Sequence, residues 1–577
     1  MADPQHVLTQ RVQSAIGAAF GSEYADTDPV IRPSQFADYQ ANAALALAKR
    51  LGRKPRDVAA DIVAHLEAGD VCSGVEISGP GFVNLTLDED WIAGRAQELL
   101  TDPRLGVPRQ ESQNIPIDYS APNVAKEMHV GHLRTTVVGD ALARVLEALG
   151  HNVVRQNHIG DWGTPFGMLI EHLLDVGEHS AEAELLTTDP NAFYQVAKGK
   201  FDSSPEFTKR ARERVVELQS GDAETLRLWR ELVDLSKSYF NRIYAELGVT
   251  LTDADLAGES MYNDMLPAIC DELESTGVAE LSDGALCVFL EGYTGRDGSP
   301  LPLIVRKSDG GYGYGTTDLA TVKYRVETLH ADRIVYVVGA PQSLHLRMVW
   351  DTARAAGWLP ENVEPVHVQI GNVLGEDGKI LRTRSGQPIR LMALLEEAVE
   401  RATSVVAESR PDLDGESRAA IARDVGIGAV KYADLSVSHD TEYVFDFDRM
   451  LALHGNTGPY LQYAAARIRS IFRKGGLDPR EATGPIRLGE PAERDLALAL
   501  LGFGPAVRQV GDTLEPHHLC GYLFDLAQTF TSFYERCPVL KPDDPAVRDS
   551  RLALTAATLH TLVRGLDLLG VRAPERM

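Results

Sequence analysis

The stretch "DYSAPNVAKEMHVGHLR", residues 118 to 134, crowds a carboxylate, a hydroxyl, an amide, a lysine and two histidines around one glycine. Imidazoles such as His129 and His132 donate to phosphate oxygens as negative charge builds up in a displacement at phosphorus. Gly131 lets a flat ring or a ribose approach the backbone closely. Lys126 adds a point charge that reaches a polyphosphate. The pattern H-x-G-H arises by chance about 0.04 times in a chain with this His and Gly content, so a structural role for the pair stays open beside the catalytic one.

The elements that must position these groups are legible around them. "NIPIDYS" reads as a strand, and a helix follows with apolar positions Leu133, Val137, Leu142, Val145, Leu146 and Leu149 until Gly150 stops it. "HNVVRQN" is a second strand. Strand, helix, strand is a βαβ unit and implies a parallel sheet, whose ligands sit at the carboxyl ends of strands at a switch point. The helix N-terminus there offers free N–H groups and a positive dipole end, a seat for phosphate. "DRIVYVVGA" (332–340) and "EPVHVQIGNVLG" (364–375) read as two more buried strands of the same sheet.

We expect three domains in an α/β multidomain chain: an N-terminal α+β unit over 1–105, a Rossmann-like catalytic domain over 106–415, and an all-α bundle over 416–577. A mixed helical and hairpin insertion interrupts the catalytic domain at about 175–300. In the bundle, segments beginning near Arg418, Pro459, Glu493, His517 and Arg551 carry three-to-four apolar spacing.

A net charge of −26 over 577 residues argues against a protein that coats nucleic acid indiscriminately. The five cysteines are scattered without a C-x-x-C pair, which suits a reducing cytosol and offers no sulfur-rich metal site; we expect no protein-held metal. No uninterrupted apolar stretch is long enough to span a membrane, and "MADPQHVLTQ" lacks the features of a secretory signal, so a cytoplasmic location is expected.

"HVGH" in this setting resembles the HIGH signature of class I aminoacyl-tRNA synthetases. The longer stretch through "GDALARVLEALGH" and "NHIGDWGTPFGMLI" is similar to the arginyl-tRNA synthetase family. So are "FADYQANAALALAK", "EISGPGFVNLTL", "GGYGYGTTDLATVKYRVETLHADRIVYVV", "GNTGPYLQYAAARIRS" and "LLGVRAPERM", in family order over nearly the whole chain. The resemblance implies ATP-dependent attachment of L-arginine to tRNA(Arg) through an arginyl-adenylate, releasing AMP and diphosphate. Mg²⁺ travels on the nucleotide, bound tRNA precedes activation, and the usual state is a monomer.

It also implies residue roles. His129 and His132 would stabilise the transition state, with Gly131, Lys126, Lys379 and Arg382 around ATP. Asp118, Ser120, Asn123 and His132 would hold the amino end and backbone of arginine, Tyr314, Asp318 and Gln342 would line its pocket, and Asp318 would take the guanidinium. By pattern alone Asp318 also reads as a helix N-cap, and Glu259 is either a second pocket carboxylate or a surface residue. For tRNA, Phe82 and Asn84 would serve the D-loop, and Tyr460, Gln462, Arg467 and Arg469 the anticodon side; by composition the first pair also fits a Gly-Pro turn with a buried strand Phe.

Three positions depart from the family pattern. The basic KMSKS-type loop reads "GKILRTRSG" (378–386), with Arg382 at its second-lysine position and Lys126 as the compensating lysine. Asn372 stands where methionine is expected, and Pro165, which removes a backbone donor, where glutamine is expected. They leave open a duplicate specialised for secondary metabolism or inhibitor resistance. A binding protein that has lost charging, and a nucleotidyltransferase that makes small-molecule adenylates, also stay open on the sequence.

Overall fold

The computed structural model describes residues 3–124, 126–295, 297–383 and 388–577. All four expected strands form one parallel sheet, in the order Glu364–Ile370, Arg333–Gly339, Asn114–Asp118, Asn152–Gln156. Strand Asn114–Asp118 feeds helix Val130–Leu149, which Gly150 ends in the left-handed conformation, and the chain returns as Asn152–Gln156. Strand Arg333–Gly339 lies on the other side of Asn114–Asp118, so the order reverses there and the crevice opens at the carboxyl end of the central pair. Its alternate side chains go to different cores: Val335 and Val337 join the main hydrophobic cluster, Ile334 and Tyr336 a second one. Burial on both faces explains why "RIVYVVG" reads as an unbroken apolar run.

The second cluster lies under helices Tyr314–Glu327 and Ser343–Ala355 and a small antiparallel sheet (Glu280–Ser282, Ala285–Val288, Leu303–Arg306). Helices Pro190–Ser203, Pro205–Ser220 and Ala223–Leu247 fill much of the expected insertion.

The N-terminal unit carries a four-stranded antiparallel sheet with helices Pro4–Phe20, Ala43–Leu51, Pro55–Ala64 and Glu89–Thr101. The C-terminal part is helical from Gly415 onward apart from a short strand, Tyr443–Val444, that pairs with Val373–Leu374, and Phe503–Thr513 is a helix that sequence periodicity had not separated from its neighbours. One buried and one part-buried ion pair tie these parts together. Arg134, one turn into the signature helix, pairs through Nε with Asp434 of helix Gly415–Leu435 at 2.7 Å. Arg494 of the bundle grips Asp38 of the N-terminal unit with both ends of its guanidinium, at 3.0 and 2.7 Å.

Candidate active site

Directly after strand Asn114–Asp118 the backbone enters the left-handed region at two successive non-glycine residues, Ser120 (φ 72°) and Ala121 (φ 46°). Such residues cost about 1–3 kcal/mol each and persist only where the surroundings over-determine them. Here the Ala121 N–H donates to Asn157 Oδ1 (3.1 Å), Val124 N–H to the Gly160 carbonyl (3.1 Å) and Gly160 N–H to the Pro122 carbonyl (3.2 Å). A Cβ on Gly160 would lie 2.5 Å from Asn123 Oδ1, so a larger residue there would push the Asn123 amide out of this position. The exposed Asn123 is thereby held at the rim of the crevice.

The signature turn follows. His129 is the N-cap of its helix, and its Nδ1 accepts the Gly131 N–H at 3.0 Å. His132 Nδ1 accepts the His129 N–H at 3.1 Å, and the two rings lie 4.1 Å apart. An Nδ1 that accepts from backbone carries no proton, so each neutral imidazole holds its proton on Nε2. Burial, and for His129 the nearby Lys126 charge, lowers both pKa values, that of His132 to about 3. At neutral pH the turn therefore presents two uncharged Nε2–H donors and takes its positive charge from Lys126, whose Nζ sits 4.5 Å over the Tyr194 ring.

The basic loop begins in a tight turn closed by Gly375 N–H to the Lys379 carbonyl (2.8 Å), leaving Lys379 and Arg382 exposed. Arg384 to Gln387, including the last three residues of the predicted loop, lie outside the described residues. The return arm is zipped onto the signature turn: Val130 N–H donates to the Ile389 carbonyl and Leu391 N–H to the Met128 carbonyl, both at 2.9 Å.

On the other side of the crevice stands a group of acids. Helix Tyr314–Glu327 is capped by Gly313, which places Asp318 inside the helix and corrects the N-cap reading. Asp318 Oδ2 accepts from His345 Nε2 at 2.5 Å, and that bond raises the His345 pKa. Glu259, between Gly258 and Ser260, which both lie against Asp161, is pushed up to about 8 by burial and by the Asp161 and Asp318 carboxylates. Asp161 is held by Ser260 through its N–H (2.8 Å) and hydroxyl (2.6 Å). A crowded carboxylate group with an imidazole at its edge is a seat for a cation with several fixed donors, as a guanidinium has. Tyr314 and Gln342 are both exposed, Tyr314 starting the Asp318 helix and Gln342 following strand Arg333–Gly339.

Several expected contacts turn out to be structural. Ser120 is buried and its hydroxyl is shared with Tyr244 (2.8 Å) and Thr136 (2.9 Å), so its side chain builds the floor of the turn. Asp118 Oδ2 takes a buried bond from Arg325 at 2.7 Å, while its Oδ1 is buried without a hydrogen-bond partner among the described residues. Asn84 is buried between Gln40 and Ser78. Gln462 is fully buried and donates to the Asp424 (2.9 Å) and Arg572 (2.7 Å) carbonyls. Arg469 holds the C-terminal segment through the Ala573 (3.2 Å) and Pro574 (2.7 Å) carbonyls. For Asn84 and Gln462 the reading as RNA contacts is withdrawn: each side chain is buried, and its amide nitrogen is spent on its own fold. Arg467 is exposed over the Tyr534 ring, and Phe82 and Tyr460 are half-buried. Pro165 is the second residue of helix Thr164–Val176, where a backbone N–H has no intrahelical partner, so the lost donor costs nothing. Asn372 donates to Glu442 at 2.7 Å. The described residues also bring Glu515, His517 and His518 together in the bundle as atoms able to hold a metal, a grouping that the sequence reading did not foresee.

With this geometry in view, the comparisons decide the family. Residues 95–447 match the family described as tRNA synthetases class I (R), catalytic domain. The chain belongs to the arginyl-tRNA synthetases. Residues 6–87 match the arginyl-tRNA synthetase N-terminal domain and 461–577 the DALR anticodon-binding domain. An arginine–tRNA ligase of Thermobifida fusca is 79% identical over 577 residues, covering 100% of both chains. One of Edwardsiella ictaluri is 48% identical, covering 99% of this chain and 100% of its own. Among solved structures, the arginyl-tRNA synthetase of Plasmodium falciparum superposes with a TM-score of 0.83 at 28% identity, over 99% of each chain. That of Thermus thermophilus gives 0.82 at 25%, over 99% of this chain and 100% of its own. Within the family site, sequence reasoning passed over Asp161, which stands in "NHIGDWG", and His345, three residues after Gln342; each finds its partner only across the fold.

Proposed function

We infer that this chain attaches L-arginine to tRNA(Arg), using ATP and releasing AMP and diphosphate. The observation that carries the reading is the pairing of two seats across one crevice: an uncharged imidazole pair at a strand–helix turn, and the Asp161, Glu259 and Asp318 carboxylates. The arginine carboxylate attacks the α-phosphorus of Mg-ATP, and diphosphate leaves. His129 and His132 donate their Nε2–H groups to the oxygens that gain charge, and Lys126, Lys379 and Arg382 offset the polyphosphate. Asp318, with Glu259 beside it, receives the guanidinium; Tyr314, Gln342 and Asn123 complete the pocket, and Asp118 fixes its base through Arg325.

The tRNA surface we propose combines Phe82, Tyr460 and Arg467 with a hollow of about 1090 Å³ whose lining includes Arg144, Arg473, Arg480, Arg564 and Arg572. Asp424, Asp478, Asp567 and Glu575 line the same hollow and pair with several of these arginines, so a phosphate backbone would compete with those acids for the guanidinium groups. We assign domains at 1–105, 106–415 and 416–577, a monomer, and a cytoplasmic location, on the family's habit; no helix among the described residues is long and apolar enough to cross a membrane.

Charging of tRNA(Arg) with labelled arginine tests the reading. Label retained on tRNA with the parent chain, and lost with His132→Ala, is expected; a folded parent that transfers no label would favour a binding protein that has lost charging.

A further inference from the structure

Arg390 stands where three parts of the catalytic half meet. Its backbone pairs antiparallel with His129, flanked by the Val130–Ile389 and Leu391–Met128 hydrogen bonds. Its Nε lies 2.9 Å from Glu127 Oε2, and its Nη2 lies 3.2 and 3.3 Å from the two oxygens of Asp189. Asp189 is the N-cap of helix Pro190–Ser203, accepting the Ala192 N–H at 3.0 Å. The same helix carries Tyr194, whose ring lies beneath Lys126. One planar guanidinium thus ties together the residue two before His129, the return arm of the basic loop, and the insertion helix on which the Lys126 side chain rests.

The chemistry of the side chain fits this junction. Burial raises the pKa of Glu127, and the Arg390 charge opposes that rise next to the signature turn. Two acids on different elements need a donor with two usable edges; a lysine ammonium has no such fork. The Arg390 side chain is 49% exposed, so the contacts are worth little as bulk stability and their value is geometric.

We propose that Arg390 is a positioning residue for adenylate formation, holding the basic loop's return arm and the insertion helix in register with His129 and Lys126. The inference rests on the arginyl-tRNA synthetase reading above. Its partners are Glu127 and Asp189 and not the acids of the arginine pocket, so its loss should fall on ATP and on the chemical step. Misplacing reacting groups by an ångström costs about 10²-fold in rate.

The test is arginine-dependent ATP–diphosphate exchange with the full chain and tRNA(Arg), comparing the parent with Arg390→Ala, Arg390→Lys and Asp189→Asn, with thermal unfolding alongside. Arg390→Ala should lose about 10- to 10²-fold in kcat and raise KM for ATP about fivefold or more, with KM for arginine within about twofold and Tm nearly unchanged. Arg390→Lys should recover part of the loss, and Asp189→Asn should move the same constants by less. Parent-like constants in Arg390→Ala would overturn the proposal. So would equal rises in both KM values with a fallen Tm, which mark a packing role, or a lysine variant with the parent's constants. A parent without exchange would overturn the functional reading and this inference with it; an active parent beside an unaffected Arg390→Ala overturns the inference alone.

Discussion

Arginine binding should strengthen steeply with pH, and Glu259→Gln should flatten that dependence. Before arginine binds, burial and the Asp161 and Asp318 carboxylates hold Glu259 at about 8, so at neutral pH it is mostly protonated. A guanidinium favours the ionised form, so binding must expel that proton. With a pKa of about 8 the ionised fraction is about one in eleven at pH 7 and about one in a hundred at pH 6. Apparent affinity for arginine should therefore rise about fiftyfold between pH 6 and pH 8 and level off above that. The other groups facing the pocket act in the same direction. His345, raised by its bond to Asp318, sheds its competing charge as pH rises, and burial raises Asp161 as well, against the bonds it accepts from Ser260. The assay is KM for arginine from pH 6 to 9 in tRNA-supported exchange, with titration calorimetry in buffers of different ionisation enthalpy to count the released protons. The linkage has a stability counterpart: a carboxyl raised in the folded state contributes fully below its unfolded pKa, and the contribution is lost as pH rises through about 8, so arginine should lift Tm more at pH 8.5 than at pH 6. A parent whose KM is flat with pH, or a Glu259→Gln variant with the parent's slope, would show that no proton on Glu259 is linked to arginine.

Three further outcomes follow from the geometry. His132→Ala removes one Nε2–H donor and should cost about 10²–10³ in exchange rate with the fold intact by circular dichroism; a loss below tenfold would deny the imidazole its place at the phosphate. Gly160→Ala forces a Cβ against Asn123 Oδ1, so KM for arginine should rise with little change in KM for ATP, measured in the same exchange assay. Asp434→Ala strands the buried Arg134 charge and should destabilise by about 3–5 kcal/mol in denaturant unfolding, whereas Arg134→Met with Asp434→Leu should recover much of it.

What was legible in the sequence is what local pattern encodes. The four strands of the parallel sheet, the signature helix with its Gly150 stop and the helical C-terminal part stand in their expected places because periodicity and caps are written along the chain. Partners written far apart were not legible. Asp161 meets Ser260 across 99 residues, Asp318 meets His345 across 27, and Arg390 meets Asp189 across 201. The same blindness explains the withdrawn contacts. Asn84 and Gln462 have amides suited to RNA, and only the fold shows those amides spent on Gln40, Ser78 and main-chain carbonyls. Ser120 likewise reads as a crevice hydroxyl until Tyr244 arrives from a helix more than a hundred residues away, across 124 positions.

Joining a guanidinium-bearing amino acid to AMP is the work assigned to this crevice. ATP–diphosphate exchange with tRNA(Arg) present probes it without intermediaries, supported either by arginine or by citrulline, which keeps the shape of arginine but carries no charge. Exchange with arginine and none with citrulline is expected, because the Asp161, Glu259 and Asp318 carboxylates need a cation. No exchange with arginine, or equal exchange with both, would contradict it.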